Sequence, residues 1–154
     1  MNDYEDLLDD VYKEVPVLEM DLSEHEDKAF YYRNAIFIDR NLPAIKKREH
    51  LYEEYAHFLY TVGDISNQDR TDNRKQETLA RNRAMSMSIN LESIIDSYNQ
   101  GLREYWEVAE YLGFSVAYVY KSVQEIKKIY GLIIEYKNYV LKFVNDYTIS
   151  VDKK

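Results

Sequence analysis

Residues 51–65 read LYEEYAHFLYTVGDI, and the way this stretch folds organises what lies around it. Together with the residues just before it, it carries Ile45, Tyr52, Ala56 and Leu59 at offsets of seven, four and three. That is the spacing of one apolar helical face, suited to packing on a sheet. Upstream, Asn41 followed by Leu42 and Pro43 is a helix start, because Asn caps free amides and a proline in the first turn loses no hydrogen bond. The spacing predicts a helix from this cap to about Thr61, ended by Gly63, which adopts the left-handed conformation at little cost. The next face of the helix carries Glu53, Glu54 and His57. Glu53 and His57 stand one turn apart, so their side chains converge, with Glu54 about 100° around the axis.

This is the geometry of the HExxH zinc helix with a carboxylate in the first ligand position. In that motif the residues at i and i+4 bind the metal, and the glutamate between them removes a proton from water. Spacing alone describes an exposed helix face bearing two glutamates and a histidine equally well. A second feature lies downstream. Ala80, Ala84, Met87, Leu91, Ile94 and Tyr98 form an apolar stripe whose continuation three residues back is Glu77, so a carboxylate is predicted to point inward, where acids are rare unless paired or bound to metal. Two other readings of Glu77 stay open: complementing the helix dipole from the first turn, or pairing with Arg81 one turn later.

Outward from these helices the pattern is mixed. The opening segment spaces Tyr4, Leu7, Leu8, Val11 and Tyr12 as an amphipathic helix stopped before Pro16, expected to pack as a lid. Residues 15–20 and 29–39 alternate apolar and aromatic residues around Arg33-Asn34, a hairpin turn, and predict a small antiparallel sheet. The polar run 64–73 reads as a loop, with Thr71 or Asp72 capping one long helix that continues to about Tyr98, before Gly101. Beyond Gly101, helices are expected over 104–112 and 115–130 with Gly113 between them, then a hairpin over 131–144. Helix, tight turn, helix, hairpin is a winged-helix-like order, and the tail from Ser150 is expected to fray.

Composition narrows the chemistry. With no cysteine among 154 residues, neither disulfides nor thiolate metal sites nor a cysteine nucleophile is available, and a metal would have to be held by His, Asp or Glu. The net charge of -8 opposes nonspecific attraction to nucleic acid, which requires basic side chains on phosphates. Residues 1–100 carry 12 Lys/Arg against 21 Asp/Glu, whereas 101–154 carry 8 against 7, a contrast that suggests two subdomains. The second helix of the winged-helix-like part opens with Ser115 to Val119, SVAYV, and its Lys121, Lys127 and Lys128 come late. Such a helix is poor in base-reading side chains, so direct DNA binding is not expected and a protein-docking or capping role fits better. His50, two turns before His57, and His25, in the polar run 23–27, are read as structural or exposed. No basic leader and no long apolar run is present, so no membrane association and a cytoplasmic location are expected.

The order of a short hairpin, the helix ending in LYEEYAHFLYTVGDI, a polar loop and NRKQETLAR at 73–81, followed by WEVAEYLGFSVAYVYKSV at 106–123, resembles the short phage-type members of the ImmA/IrrE metallopeptidase family. The resemblance covers about residues 29–143 and is carried by TVGDI and NRKQE. It implies an α+β fold: a zincin-like core over residues 1–100, made of a small antiparallel sheet, an active-site helix and a long ligand-bearing helix, and a helix-turn-helix/hairpin-like subdomain over 101–150. It further implies metal ligands at Glu53, His57 and Glu77 and a general base at Glu54. Glu53 departs from the family's wider pattern, which has His there. The metal implied is Zn²⁺, or, for this harder and more anionic set, another divalent ion, or none retained. The implied activity is a metal-dependent endopeptidase acting on a helix-turn-helix repressor of a phage or mobile element. The alternative is a weak or inactive member that regulates such a repressor by binding it.

Overall fold

The computed structural model describes residues 2–60, 70–145 and 148–154, with only the backbone course given for 70–73 and 76. Arg33 and Asn34 both take positive φ, 48° and 64°, the signature of a type I′ turn whose twist matches its flanking strands. It joins β2 (Ala29–Tyr32) to β3 (Ala35–Asp39) in antiparallel register. On the other edge of β3 lies β1 (Val17–Met20), and this pair is parallel. The sheet is therefore mixed rather than purely antiparallel. The hairpin claims one edge of β3, so the preceding chain takes the opposite edge and residues 21–28 must cross the end of β3.

Asp39, buried at that end, fixes the crossing. One of its oxygens accepts from the Leu22 N–H at 3.2 Å, from the Asn41 N–H at 3.1 Å and from the Asn41 amide at 3.0 Å. Lys28 closes the loop from within, donating to the carbonyls of Leu22, Ser23 and His25. The Asn41 amide also reaches Asp21, and the next helix starts only at Ala44. Asn41 thus organises the loop instead of capping the helix.

One face of this sheet carries the core. Val17, Ile36 and Ile38 meet Val15, Tyr4 and Val11 of α1 (Asp3–Tyr12), and Leu51 of α2 (Ala44–Tyr60). Helix α1, capped by Asn2 on the Glu5 N–H, is built into the core and is not a lid, and Tyr12 turns outward. The expected face of α2 also needs correction, since Ile45 and Leu59 are exposed. Leu51, Tyr55 and Phe58 pack toward the sheet, while Ala56 and Tyr52 pack on Ala80 and Ala84 of α3 (Arg70–Ser88). A helix covered on two sides loses the single apolar stripe on which the periodicity argument rests.

The expected long second helix is two helices. Helix α3 stops at Ser88, and α4 (Leu91–Asn99) starts afresh from Asn90, whose extended backbone and side chain form a capping box with Ser93. Helix α3 already runs through the Thr71 and Asp72 positions proposed as its cap. The Gly63 stop and the loop over 64–69 lie outside the described residues.

Downstream, α5 (Tyr105–Leu112) ends in Gly113 at φ 79°, and α6 (Val116–Tyr130) is capped by Ser115 on the Tyr118 N–H. Strands β4 (Ile133–Tyr136), β5 (Tyr139–Asn145) and β6 (Thr148–Lys153) form an antiparallel sheet in that order. The tail is not frayed: Val151 pairs with Leu141, and both are buried. The chain divides into two compact units, Met1–Met87 and Ser88–Lys154. Among the described residues no helix is long and apolar enough to cross a membrane.

Candidate metal centre

Small residues let α2 and α3 approach each other. Ala56, Ala80 and Ala84 form a buried cluster at the contact, and Ala56 precedes His57 while Ala80 follows Glu77 by three positions, on the same side of α3. The short glutamate side chain therefore meets the imidazole, with His57 Nε2 3.2 Å from Glu77 Oε2. Glu53, one turn before His57, completes a group of three whose donor atoms all lie within 4.8 Å of one another. Among the described residues this is the one cluster of His and acidic side chains assembled in this way.

The environment is graded. His57 is buried, the Glu53 side chain is 27% exposed and the Glu77 side chain 43%, so the group opens to solvent on the Glu77 side. Arg81 stands 3.9 Å from Glu53, so of the readings left open for Glu77 the ion pair with Arg81 is found at Glu53 instead, although Arg81 also helps to hold Glu77 ionised. Glu54 lies buried beside the cluster. His50 is half-buried and outside the group, and His25 is exposed in the crossing loop.

Protonation follows from these contacts. Burial works against a charged His57, but its hydrogen bond to Glu77 and the negative charges of Glu54, Glu77 and Glu53 outweigh burial and raise its pKa. The same hydrogen bond, against burial and aided by the His57 and Arg81 charges, lowers that of Glu77. Both shifts favour a protonated His57 beside an ionised Glu77, whereas a ligand imidazole is neutral. Burial pushes Glu54 up to about 8; His57 opposes this, and Glu53, Glu77 and Asp27 add to it. Asp27, in the crossing loop, was not legible as part of this environment, because nothing local in the sequence relates it to α2.

A family model described as the IrrE N-terminal-like domain, Peptidase_M78, matches residues 12–123. The chain belongs to the ImmA/IrrE family. Membership of this family implies a metallopeptidase, and the matched span includes both helices that form the cluster. No curated protein and no solved structure gives a significant match to the chain.

The residues present suit the metal that the ImmA/IrrE family implies. Four-coordinate zinc with donors at about 2.0–2.2 Å separates neighbouring donors by roughly 3.4 Å. The His57–Glu77 distance of 3.2 Å is already close to that, and the third donor, from Glu53, lies within 4.8 Å of both. One nitrogen and two carboxylates, with an open side toward solvent, make a set for a catalytic rather than a closed structural ion.

Proposed function

We propose that the chain is a metal-dependent endopeptidase in which Glu53, His57 and Glu77 hold the metal and Glu54 is the general base. The observation that carries this reading is the convergence of Glu53, His57 and Glu77 on one point, with Glu54 buried beside it. A bound divalent metal, Zn²⁺ or another ion that accepts this oxygen-rich set, supplies a Lewis acid that polarises a peptide carbonyl and acidifies a water. Glu54 takes the proton from that water at a carboxylate oxygen and delivers it to the leaving amine. Its burial favours the protonated form, so the same residue can hold the proton between the two transfers. With a divalent ion held by Glu53, His57 and Glu77, Glu54 would start as the carboxylate.

The substrate class follows from the resemblance: a helix-turn-helix repressor of a phage or mobile element, whose cleavage releases gene expression in the cytoplasm. In this reading residues 1–100 carry the peptidase chemistry, and the helix-turn-helix/hairpin-like part over 101–150 serves protein contacts, not DNA readout. The exposed start of α6 presents Val116 and Ala117, side chains that offer base edges no hydrogen bond.

A second reading is a binding protein that controls the repressor without cutting it. It is favoured by the His57–Glu77 pair and by Arg81 beside Glu53, both of which give the carboxylates partners without a metal. Co-expression with the repressor separates the two. In a peptidase, Glu54→Gln leaves fold and repressor binding in place and cuts cleavage by about 10²- to 10⁴-fold, the usual worth of general-base assistance. Equal relief of repression by wild type and Glu54→Gln, with the repressor intact in both, identifies the binding protein.

A further inference from the structure

The first sheet has a second face. Helices α1 and α2 cover the side bearing Val17, Ile36 and Ile38. Alternation along each strand then places Leu18 and Met20 of β1, Phe37 of β3, and Phe30 and Tyr32 of β2 on the opposite side. The register aligns Leu18 with Phe37 and Phe37 with Phe30, so an unbroken apolar row crosses all three strands. Phe30 and Phe37 stack at 4.9 Å between centroids. Leu18, Met20 and Tyr32 remain 48%, 42% and 40% exposed. A contiguous row of this kind is an interaction surface more often than scattered exposed apolar residues are.

The dimensions select the occupant. Three strands about 4.8 Å apart and four to five residues long, at about 3.3 Å per residue, make a face roughly 10 by 15 Å. It can bury a few hundred Å² per partner, well short of the about 800 Å² per partner of a stable pair of subunits. A single α-helix, about 10–12 Å across and 1.5 Å per residue, covers it with about ten residues. At one end the Arg33 guanidinium lies 5.2 Å above the Tyr32 ring, a cation at the rim of the face in a chain of net charge -8.

We propose that this outer face, the row Leu18–Phe37–Phe30 flanked by Met20 and Tyr32, docks one amphipathic helix of a partner protein, apolar on one side and acidic where it passes Arg33. The proposal stands whether or not the metal centre is catalytic, since the sheet separates this face from α2.

The test uses the full chain and a panel of stapled amphipathic helices of about 12 residues, with varied apolar side chains on one face and glutamates at the ends. The expected result is that at least one member binds with a Kd of about 1–100 µM, with NMR shift changes confined to β1, β2 and β3. The same peptide with its apolar residues spread around the helix should not bind. Leu18→Glu and Tyr32→Glu, both at exposed positions, should each weaken binding at least tenfold, and Leu18→Ala less so, with amide spectra otherwise unchanged. No binding by any member up to about 1 mM would overturn the proposal, as would shift changes elsewhere or indifference to Leu18→Glu. So would a concentration-dependent dimer in sedimentation that Leu18→Glu abolishes, since the occupant would then be a second copy.

Discussion

Glu54 and Glu53 are adjacent in sequence and differ in fate because one helix position separates them by about 100°. Glu53 faces Arg81 and the cluster, whereas Glu54 is turned into the protein, and burial pushes its pKa from 4.5 to about 8. A consequence for stability follows. Without metal, the folded protein holds the Glu54 proton more tightly than the unfolded chain does, so this contribution is fully present below pH 4.5 and is lost as the pH rises toward 8. Chelator-treated protein should therefore lose stability across that window, and Glu54→Gln should lose less, by on the order of a few kcal/mol in denaturant titrations. The raised pKa of His57 gives a loss in the same direction, and the part of it due to the Glu54 charge disappears in Glu54→Gln as well. Parallel curves for wild type and variant would contradict the assignment. Asp39 has the opposite sign. Burial opposes its ionisation, and hydrogen bonds from Asn41 and Leu22, with the Lys28 charge, outweigh burial and lower its pKa. Its contribution is present above the ordinary carboxylate range and is lost as the pH falls through its own lowered value. Asp39→Asn should accordingly flatten the acid side of the stability profile.

Among the elements, the break between α3 and α4 depends on one cap. Asn90 accepts from the Ser93 N–H at 3.0 Å, and the Ser93 hydroxyl accepts from the Asn90 N–H. Asn90→Ala should cost about 1 kcal/mol in an equilibrium denaturant measurement, and Asn90→Ser should restore most of it; a neutral Asn90→Ala would mean that the break is set by packing alone. The same cap marks where sequence reading runs out. The apolar stripe continues through Met87, Leu91 and Ile94 without a change of period, so periodicity predicts one helix, and an Asn followed by a Ser three residues on is a quiet start signal. Where the cap is loud, as at Gly113 and Ser115 between α5 and α6, the elements lie within a residue of expectation. Strand β6 was hidden because its alternation, Ile149 and Val151 among polar residues, is short and needs β5 to complete it. The parallel pairing of β1 was hidden because pairing partners are set by connection geometry rather than by local pattern. The convergence of Glu53 and His57 was legible since it is a property of one helix turn, and Glu77 was legible through the alanine stripe it extends. The influence of Asp27 and the Arg81–Glu53 contact needed tertiary structure.

At the scale of the whole chain, 28 acidic against 20 basic residues make close approach to a polyanion unfavourable. Duplex DNA should therefore show no sequence-specific complex at physiological salt. Nanomolar, sequence-dependent anisotropy changes on a single site would overturn this and make the chain itself a regulator. Metal binding at Glu53, His57 and Glu77 would depend on the intact fold because these residues come from two helices, α2 and α3: a chain that loses the α2–α3 contact would lose the site. The most direct test is elemental analysis of the purified full chain after equilibration with Zn²⁺ and removal of free ion, set beside His57→Ala and Glu77→Ala checked for folding by circular dichroism. The expected result is about one metal per wild-type chain and little or none in either folded variant. A wild-type chain that takes up no metal, or variants that keep it as fully as the wild type, would mean that Glu53, His57 and Glu77 do not form a metal centre.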